Sequence, residues 1–339
     1  MKLAVVLFNL GGPDSPDAVE PFLRNLFSDP AIIALPGLFR IPLARFIARR
    51  RAPIAREIYA KIGGCSPIVE ETQAQAAALE RALAAHGYEA RAFIAMRYWK
   101  PFSDEAARAV KAWAPDRIVL LPLYPQYSTT TTASSLAAWK DAAKQAGLDA
   151  ATSRVCCYPR EKGFIEAEAA LIRGAFERAK PGISYRLLLS AHGLPKRTVA
   201  RGDPYQWQVE QTAAAIVNAL GMSGLDCTVC YQSRVGPLEW IGPATDSEIR
   251  RAGSEGKGVI VAPIAFVSEH SETLVELDLE YAHLAKEAGV LDYLRVPTAG
   301  TQPLFIEGLA GLVEKALSNQ IANCGAGRIC PAGLCGWQT

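Results

Sequence analysis

Five carboxylates and one histidine fall within thirteen residues, SEHSETLVELDLE (268–280). On a helix of about 3.6 residues per turn, Glu269, Glu272, Glu276 and Glu280 share a stripe about 80° wide. Like charges at this spacing oppose helix formation by roughly 0.2–0.5 kcal/mol per pair. Acids in a first turn complement the helix dipole, and Ser268 could cap it, which accounts for Glu269 and in part for Glu272. Glu276 and Glu280 lie further along and need another reason. Either basic partners neutralise a solvated face, or a divalent cation relieves the repulsion. Carboxylate with imidazole suits Fe(II), Mn(II) or Zn(II). Asp278 falls on the far side of such a helix.

Of the four histidines, His86 precedes a glycine at a helix end and His283 sits in a helical pattern, so both read as bystanders. His192 differs. LLLSAHGLP runs from a buried strand into a glycine-containing turn and leaves an imidazole at the strand's carboxyl end. That position suits a proton acceptor or a metal ligand, or else a hydrogen-bonded structural histidine.

Three of the eight cysteines, Cys324, Cys330 and Cys335, lie in the Gly/Pro-rich tail CGAGRICPAGLC. Thiols this dense where little core can form point to a metal or cluster that holds the tail, with a fourth ligand from elsewhere. The spacing is looser than that of ordinary zinc pairs. Cys227 and Cys230 would face opposite sides of a strand and read as core. Cys156 and Cys157 also face opposite ways, so at most one could join the tail.

The elements that position these residues alternate. Apolar, β-rich runs occupy 3–10, 89–97, 117–124 and 151–158, and again 185–192, 226–233, 258–266 and 291–297. Their nearly unbroken hydrophobicity suits parallel strands covered on both faces. Helical patterns such as 70–87 and 161–179 lie between them. The alternation predicts an α/β fold of two similar, doubly wound, Rossmann-like lobes, each a four-stranded parallel sheet, with a cleft between them. The expected division is 1–150, 151–298, a helix over 299–320 that packs back on the first lobe, and a cysteine-rich tail over 321–339. Ligands of such sheets sit beyond the carboxyl ends of the strands. Here those ends carry Asn9–Pro13, Arg97-Tyr98, YPQYSTTTT, His192-Gly193, QSRVGP and Glu269-His270.

Composition excludes several classes. Half the residues are hydrophobic, 21% are charged and the net charge is +2, which fits a folded globular chain and gives no electrostatic case for nucleic acid. No apolar run is long enough to cross a bilayer. The apolar N-terminus breaks at Gly11-Gly12-Pro13 and reads as a buried strand, not a signal peptide, so the expected location is cytoplasmic and the cysteines are not expected to form disulfides. One segment, about 31–52, is apolar and cationic. It is either an ordinary helical excursion or a lip whose Leu35, Leu38, Phe39, Ile41 and Leu43 meet a greasy ligand or a membrane surface.

Seven stretches in order, NLGGPD (9–14), YAKIGGCSPI (59–68), AMRYWKPF (95–102), YPQYSTTTTASSL (124–136), SAHGLP (190–195), YQSRVGPLEWIGPATD (231–246) and PIAFVSEHSETLVELDLEY (263–281), resemble ferrochelatase over nearly the whole length. The resemblance implies insertion of Fe(II) into protoporphyrin IX with release of two protons, the last step of haem synthesis. It implies that His192 and Glu272 face each other across the macrocycle as catalytic and metal-binding groups. Leu10, Tyr59, Ser66, Arg97, Tyr98 and Trp240 would line the porphyrin site, and Glu276 and Glu280 would extend a metal-binding track outward. Members with a C-terminal cysteine extension bind a [2Fe–2S] cluster, which this tail resembles. In some, the remote cysteine lies on the helix after the Tyr-Pro at 158–159. That stretch has none here, so Cys156 or Cys157 becomes the candidate beside Cys324, Cys330 and Cys335. The reading leaves open a homodimer and a peripheral contact of the lip with the inner membrane. The competing readings are a non-catalytic porphyrin- or haem-binding protein and a cobalt chelatase acting on another tetrapyrrole.

Overall fold

A computed structural model describes residues 1–234, 236, 238–318, 322–323 and 330. The chain divides into two compact units, one of residues 1–157 with 309–327 and one of 158–308 with 328–339.

In the first unit the strands are β1 (Lys2–Asn9), β2 (Glu89–Met96), β3 (Arg117–Pro122) and β4 (Ala151–Cys157). The helices are α1 (Val19–Ser28), α2 (Gly37–Ala60), α3 (Ile68–Ala85), α4 (Ser103–Trp113) and α5 (Thr132–Ala146). The second contains α6 (Lys162–Glu177), β5 (Tyr185–His192), α7 (Lys196–Ala200), α8 (Tyr205–Leu220), β6 (Cys227–Gln232), α9 (Thr245–Ser254), β7 (Gly258–Pro263), α10 (Tyr281–Glu287) and β8 (Tyr293–Arg295). A π-helix, Glu272–Glu280, precedes α10. Helix α11 (Pro303–Leu317) and a two-residue strand β9 (Ala322–Asn323) follow.

The parallel sheets run β2-β1-β3-β4-β9 and β6-β5-β7-β8. Strand β1 is buried from Leu3 to Asn9 and β7 over all six residues, as central parallel strands covered on both faces must be. Local chemistry sets the helix ends. The Glu105 carboxylate accepts from Phe102 N (2.7 Å) to start α4, and Glu161 accepts from Phe164 N (2.8 Å) to start α6.

The first unit runs to Cys157, and its last long strand, β4, pairs in register with β3. The two-residue β9 extends the edge of this four-stranded sheet, aligning with β4 and placing Asn323 opposite Cys157. In both sheets the strand order reverses beside the first strand, at β1/β3 and at β5/β7. Ligands of open parallel sheets sit beyond the strands' carboxyl ends at such a reversal.

Candidate functional site

In the second unit, β5 ends on His192 and β7 leads through 264–271 into the π-helix that begins at Glu272. These flank the strand-order reversal and bring His192 Nδ1 to 2.9 Å from Glu272 Oε2. The same oxygen lies 3.7 Å from Nε2 of the buried His270, whose Nδ1 is 3.1 Å from the Ser268 carbonyl. Phe266 packs against both imidazoles, with centroids 6.4 Å from His192 and 4.6 Å from His270. Burial alone would lower the His192 pKa, but the Glu272 charge and hydrogen bond outweigh it and raise it. Burial would likewise raise Glu272, and the two imidazoles instead hold it well below the usual carboxylate range.

The acidic stripe is not the α-helical one expected. Hydrogen bonding widens to i→i+5 over 272–280, and the four-residue spacing keeps Glu272, Glu276 and Glu280 close to one line. Glu269 is off that line and outside the helix. Its Oε1 takes Arg295 Nη1 (2.6 Å) and Thr298 N (3.0 Å), and the residue at the N-cap of the π-helix is Ser271, not Ser268. Arg295 also holds Asp278 through Nε (2.7 Å) and Nη2 (2.6 Å). Both oxygens of Glu276 are taken: Oε1 by Ser233 N (2.8 Å) and Tyr281 O–H (2.9 Å), Oε2 by Gln232 Nε2 (3.1 Å) and Ser233 O–H. Glu276 is thus an anchor between the π-helix and the turn after β6, where Ser233 adopts φ +60°. Glu280 is exposed.

Trp240 joins this unit's site through a bridge to Pro195, with Ile241 N on Leu194 O (2.9 Å) and Lys196 N on Glu239 O (2.8 Å). Gly193 makes room for it. A Cβ there would meet Gln232 O at 2.9 Å and the Trp240 ring at 3.3 Å.

In the first unit, Leu10, Arg97 and Tyr98 come together at the ends of β1 and β2, where Tyr98 N bonds Leu10 O and Arg97 N bonds Asn9 O, each at 2.9 Å. Tyr59 shares a hydrophobic cluster with Tyr98 and Leu10. Ser66 packs on Gly12, where a Cβ would lie 2.5 Å from the serine side chain. Tyr98 is fully buried and its hydroxyl is committed to Asp29 (2.9 Å), so it supports this surface and does not present a free phenol. A cavity of about 240 Å³ among Met96, Phe102, Ser103, Asp104 and Asp141 borders Arg97 and contains none of the other expected residues.

Sequence reasoning missed Asp29, Gln232 and the contact of His270 with Glu272. Asp29 is buried at the end of α1 and accepts from Arg97 Nη2 (2.7 Å), Tyr98 O–H, Ser134 O–H (2.5 Å) and Ala31 N (2.8 Å). Its local signal, Ser-Asp-Pro, reads only as a helix stop. Gln232 and His270 did stand at strand ends, where the available signal was position.

Of the tail cysteines, Cys330 is buried and its Sγ lies 3.2 Å from Gln208 Nε2, while Cys324 and Cys335 lie outside the described residues. Cys156 and Cys157 are both buried. Among the described residues no helix is long and apolar enough to cross a membrane.

Comparison with known proteins agrees with the geometry. The ferrochelatase family model matches residues 2–317. A ferrochelatase of Caulobacter vibrioides is 58% identical over 339 residues, covering 99% of this chain and 94% of its own. One of Phenylobacterium zucineum is 58% identical over 334 residues, covering 98% and 96%. Among solved structures, the sirohydrochlorin chelatase SirB from Bacillus subtilis subspecies spizizenii, in complex with cobalt, shares the fold with a TM-score of 0.55 at 12% identity, over 94% of this chain and 97% of that one. The chain belongs to the ferrochelatase family.

Proposed function

We propose that this metal chelatase, which inserts Fe(II) into protoporphyrin to form haem, carries out the exchange of protons for metal at the His192–Glu272 pair. The observation that carries the reading is the 2.9 Å contact between His192 Nδ1 and Glu272 Oε2 at the carboxyl end of β5. With Nδ1–H donated to the carboxylate, Nε2 keeps its lone pair and can take a pyrrole proton. The imidazolium so formed is stabilised by Glu272, and His270 stands one small movement from hydrogen-bond distance on the same oxygen as a route for the proton outward. Deprotonated Glu272 and His192 are also oxygen and nitrogen donors suited to ferrous iron as it enters, and Glu280 offers an exposed carboxylate on the approach. Glu276 acts there as an anchor, since its two oxygens already serve four donors.

Leu10, Tyr59, Ser66, Arg97 and Trp240 are the proposed contacts for the tetrapyrrole, with Tyr98 behind them; a guanidinium at Arg97 suits a carboxylate side chain of the substrate. Apolar binding energy can be used to pucker the macrocycle and raise its nitrogen lone pairs toward the metal. The test is anaerobic incubation with protoporphyrin and Fe(II), read by absorbance. His192→Ala should still shift the porphyrin bands yet form no haem; an active variant would sink the assignment.

Two further readings belong here. The exposed Leu35, Leu38, Phe39, Ile41 and Phe46, with Arg45 and Arg49 beside them, fit a lip that touches an anionic lipid surface. They also favour protoporphyrin over a more carboxylated porphyrin. Cys324, Cys330 and Cys335, with Cys156 or Cys157, are the proposed ligands of a [2Fe–2S] cluster. The support is the buried Cys330 sulfur facing an amide N–H, the kind of donor that stabilises cluster thiolates, and β9, which ends one residue before Cys324 and opposite Cys157.

A further inference from the structure

His192 and Glu272 sit 80 residues apart on different elements, and an eight-residue connection (264–271) separates the end of β7 from Glu272. A segment of that length does not by itself hold two side chains at a fixed separation. Gln232 bridges the two elements. It is the last residue of β6, in register with His192, and its side chain is buried. Its Oε1 accepts from Ser190 O–H at 2.9 Å, two residues before His192 on β5. Its Nε2 donates to the Glu272 main-chain carbonyl at 2.9 Å and to Glu276 Oε2 at 3.1 Å, both on the π-helix. Its own carbonyl accepts from Gly193 N at 2.9 Å. The amide orientation follows from chemistry. The two groups on the π-helix side are acceptors only, so the nitrogen must face them, whereas the Ser190 hydroxyl can donate to the oxygen. Both amide protons and the carbonyl oxygen are therefore spent on joining β5 to the π-helix.

We propose that Gln232 is a positioning residue for iron insertion: by tying Ser190 to the Glu272 carbonyl and the Glu276 carboxylate, it sets the separation of His192 from Glu272. It touches neither substrate nor metal in this role. The inference rests on the reading of His192–Glu272 as the reaction centre.

Gln232→Glu tests it. The shape is kept and Oε1 still accepts from Ser190, but the donor is replaced by an oxygen that faces a carbonyl and a carboxylate. A misplacement of about 1 Å near a reaction centre lowers turnover by roughly 100-fold. The expected result is a kcat lower by about 10- to 100-fold with a porphyrin KM within about two-fold of wild type. Adding Glu276→Gln puts a donor back opposite the new carboxylate, and kcat should recover by about five-fold or more although Glu276→Gln alone lowers it. A purely structural role would depress kcat and porphyrin affinity together and would not be relieved by the second change. Wild-type kcat in Gln232→Glu, or a loss that Glu276→Gln fails to relieve, overturns the proposal. If Gln232→Glu folds poorly, Gln232→Asn, which keeps the amide but is too short to span both elements, should show the same kcat loss at unchanged KM; normal kcat there overturns it equally. His192→Ala is assayed alongside. Its retained activity would refute the reaction centre itself, whereas an inactive His192→Ala with a normal Gln232→Glu refutes only the role of Gln232.

Discussion

Replacing Glu168 with glutamine removes a carboxyl group that has no place to put a charge. Glu168 lies inside α6 at 0% exposure, and neither carboxylate oxygen has a hydrogen-bond partner among the described residues. Burial first, and then the Glu269 carboxylate, push its pKa well above the ordinary value, so the folded chain holds this proton to higher pH than the unfolded chain does. Glu269 titrates the other way: burial would raise it, but Arg295 and its hydrogen bonds hold it low. In the unfolded chain Glu168 ionises near about pH 4.3. The folded state then binds one more proton than the unfolded state, so wild type loses stability as pH rises from that value toward the folded pKa. The slope for one proton is at most about 1.4 kcal/mol per pH unit, which sets a ceiling of about 2.7 kcal/mol between pH 5 and pH 7. Glutamine does not titrate. Its buried amide adds a penalty of roughly 1–3 kcal/mol, but that offset is the same at every pH. Urea unfolding of wild type and Glu168→Gln at pH 5, 6 and 7 isolates the proton contribution as the change in their difference. The variant should gain on wild type as pH rises over this range, by up to about 2.7 kcal/mol, the limit for one proton. A difference that stays flat would mean that Glu168 is ionised or solvated in the folded protein, and the reasoning would be wrong.

Asp29→Asn keeps the shape but removes the charge that holds Arg97 and accepts from Tyr98 and Ser134. Porphyrin KM should rise about 10-fold, with a stability loss of about 1–3 kcal/mol, and an unchanged KM would separate Asp29 from the substrate surface. Cys330→Ser should lower iron and acid-labile sulfide in the purified protein and bleach its visible cluster absorbance; unchanged iron and sulfide content would remove Cys330 from the ligand set. Leu38→Glu with Phe39→Glu should abolish co-sedimentation with anionic phospholipid vesicles at low salt, and equal binding by wild type and variant would refute a lipid-facing lip.

The strands were legible because a parallel strand covered on both faces must be apolar nearly throughout, so β1, β2, β3 and β5 start and end within a residue or two of their apolar runs. Strand ends then pointed to His192 and to Glu269-His270, while Glu272 came from the acidic stripe and the family resemblance. The π-helix was not legible, because glutamates four apart satisfy an α-helical stripe just as well. Strand β9 is two residues long and carries no pattern of its own; only its pairing with β4 defines it. Asp29 gathers residues from positions 31, 97, 98 and 134, which no local window contains. Gln232 had a strand-end position but no sign of what it would bridge.

The acidic stripe also looks different once each carboxylate is followed to its partner. Glu269 and Asp278 share Arg295, an arginine on β8 that no helical spacing could have suggested. Glu276 is met by four neutral donors, so its two oxygens are satisfied without a cation. Glu272 is held ionised by His192 and His270. The repulsion expected of stacked glutamates is thus relieved residue by residue, and the stripe alone is no argument for a bound metal. What singles out Glu272 is its place at the strand-order reversal, on the same oxygen as two imidazoles. If the stripe were a chain of equivalent metal ligands, substitution at 269, 272, 276 and 280 would impair iron use alike. On the proposed assignment the losses differ instead: stability at Glu269, chemistry at Glu272, turnover through misplacement at Glu276, and iron entry at the exposed Glu280.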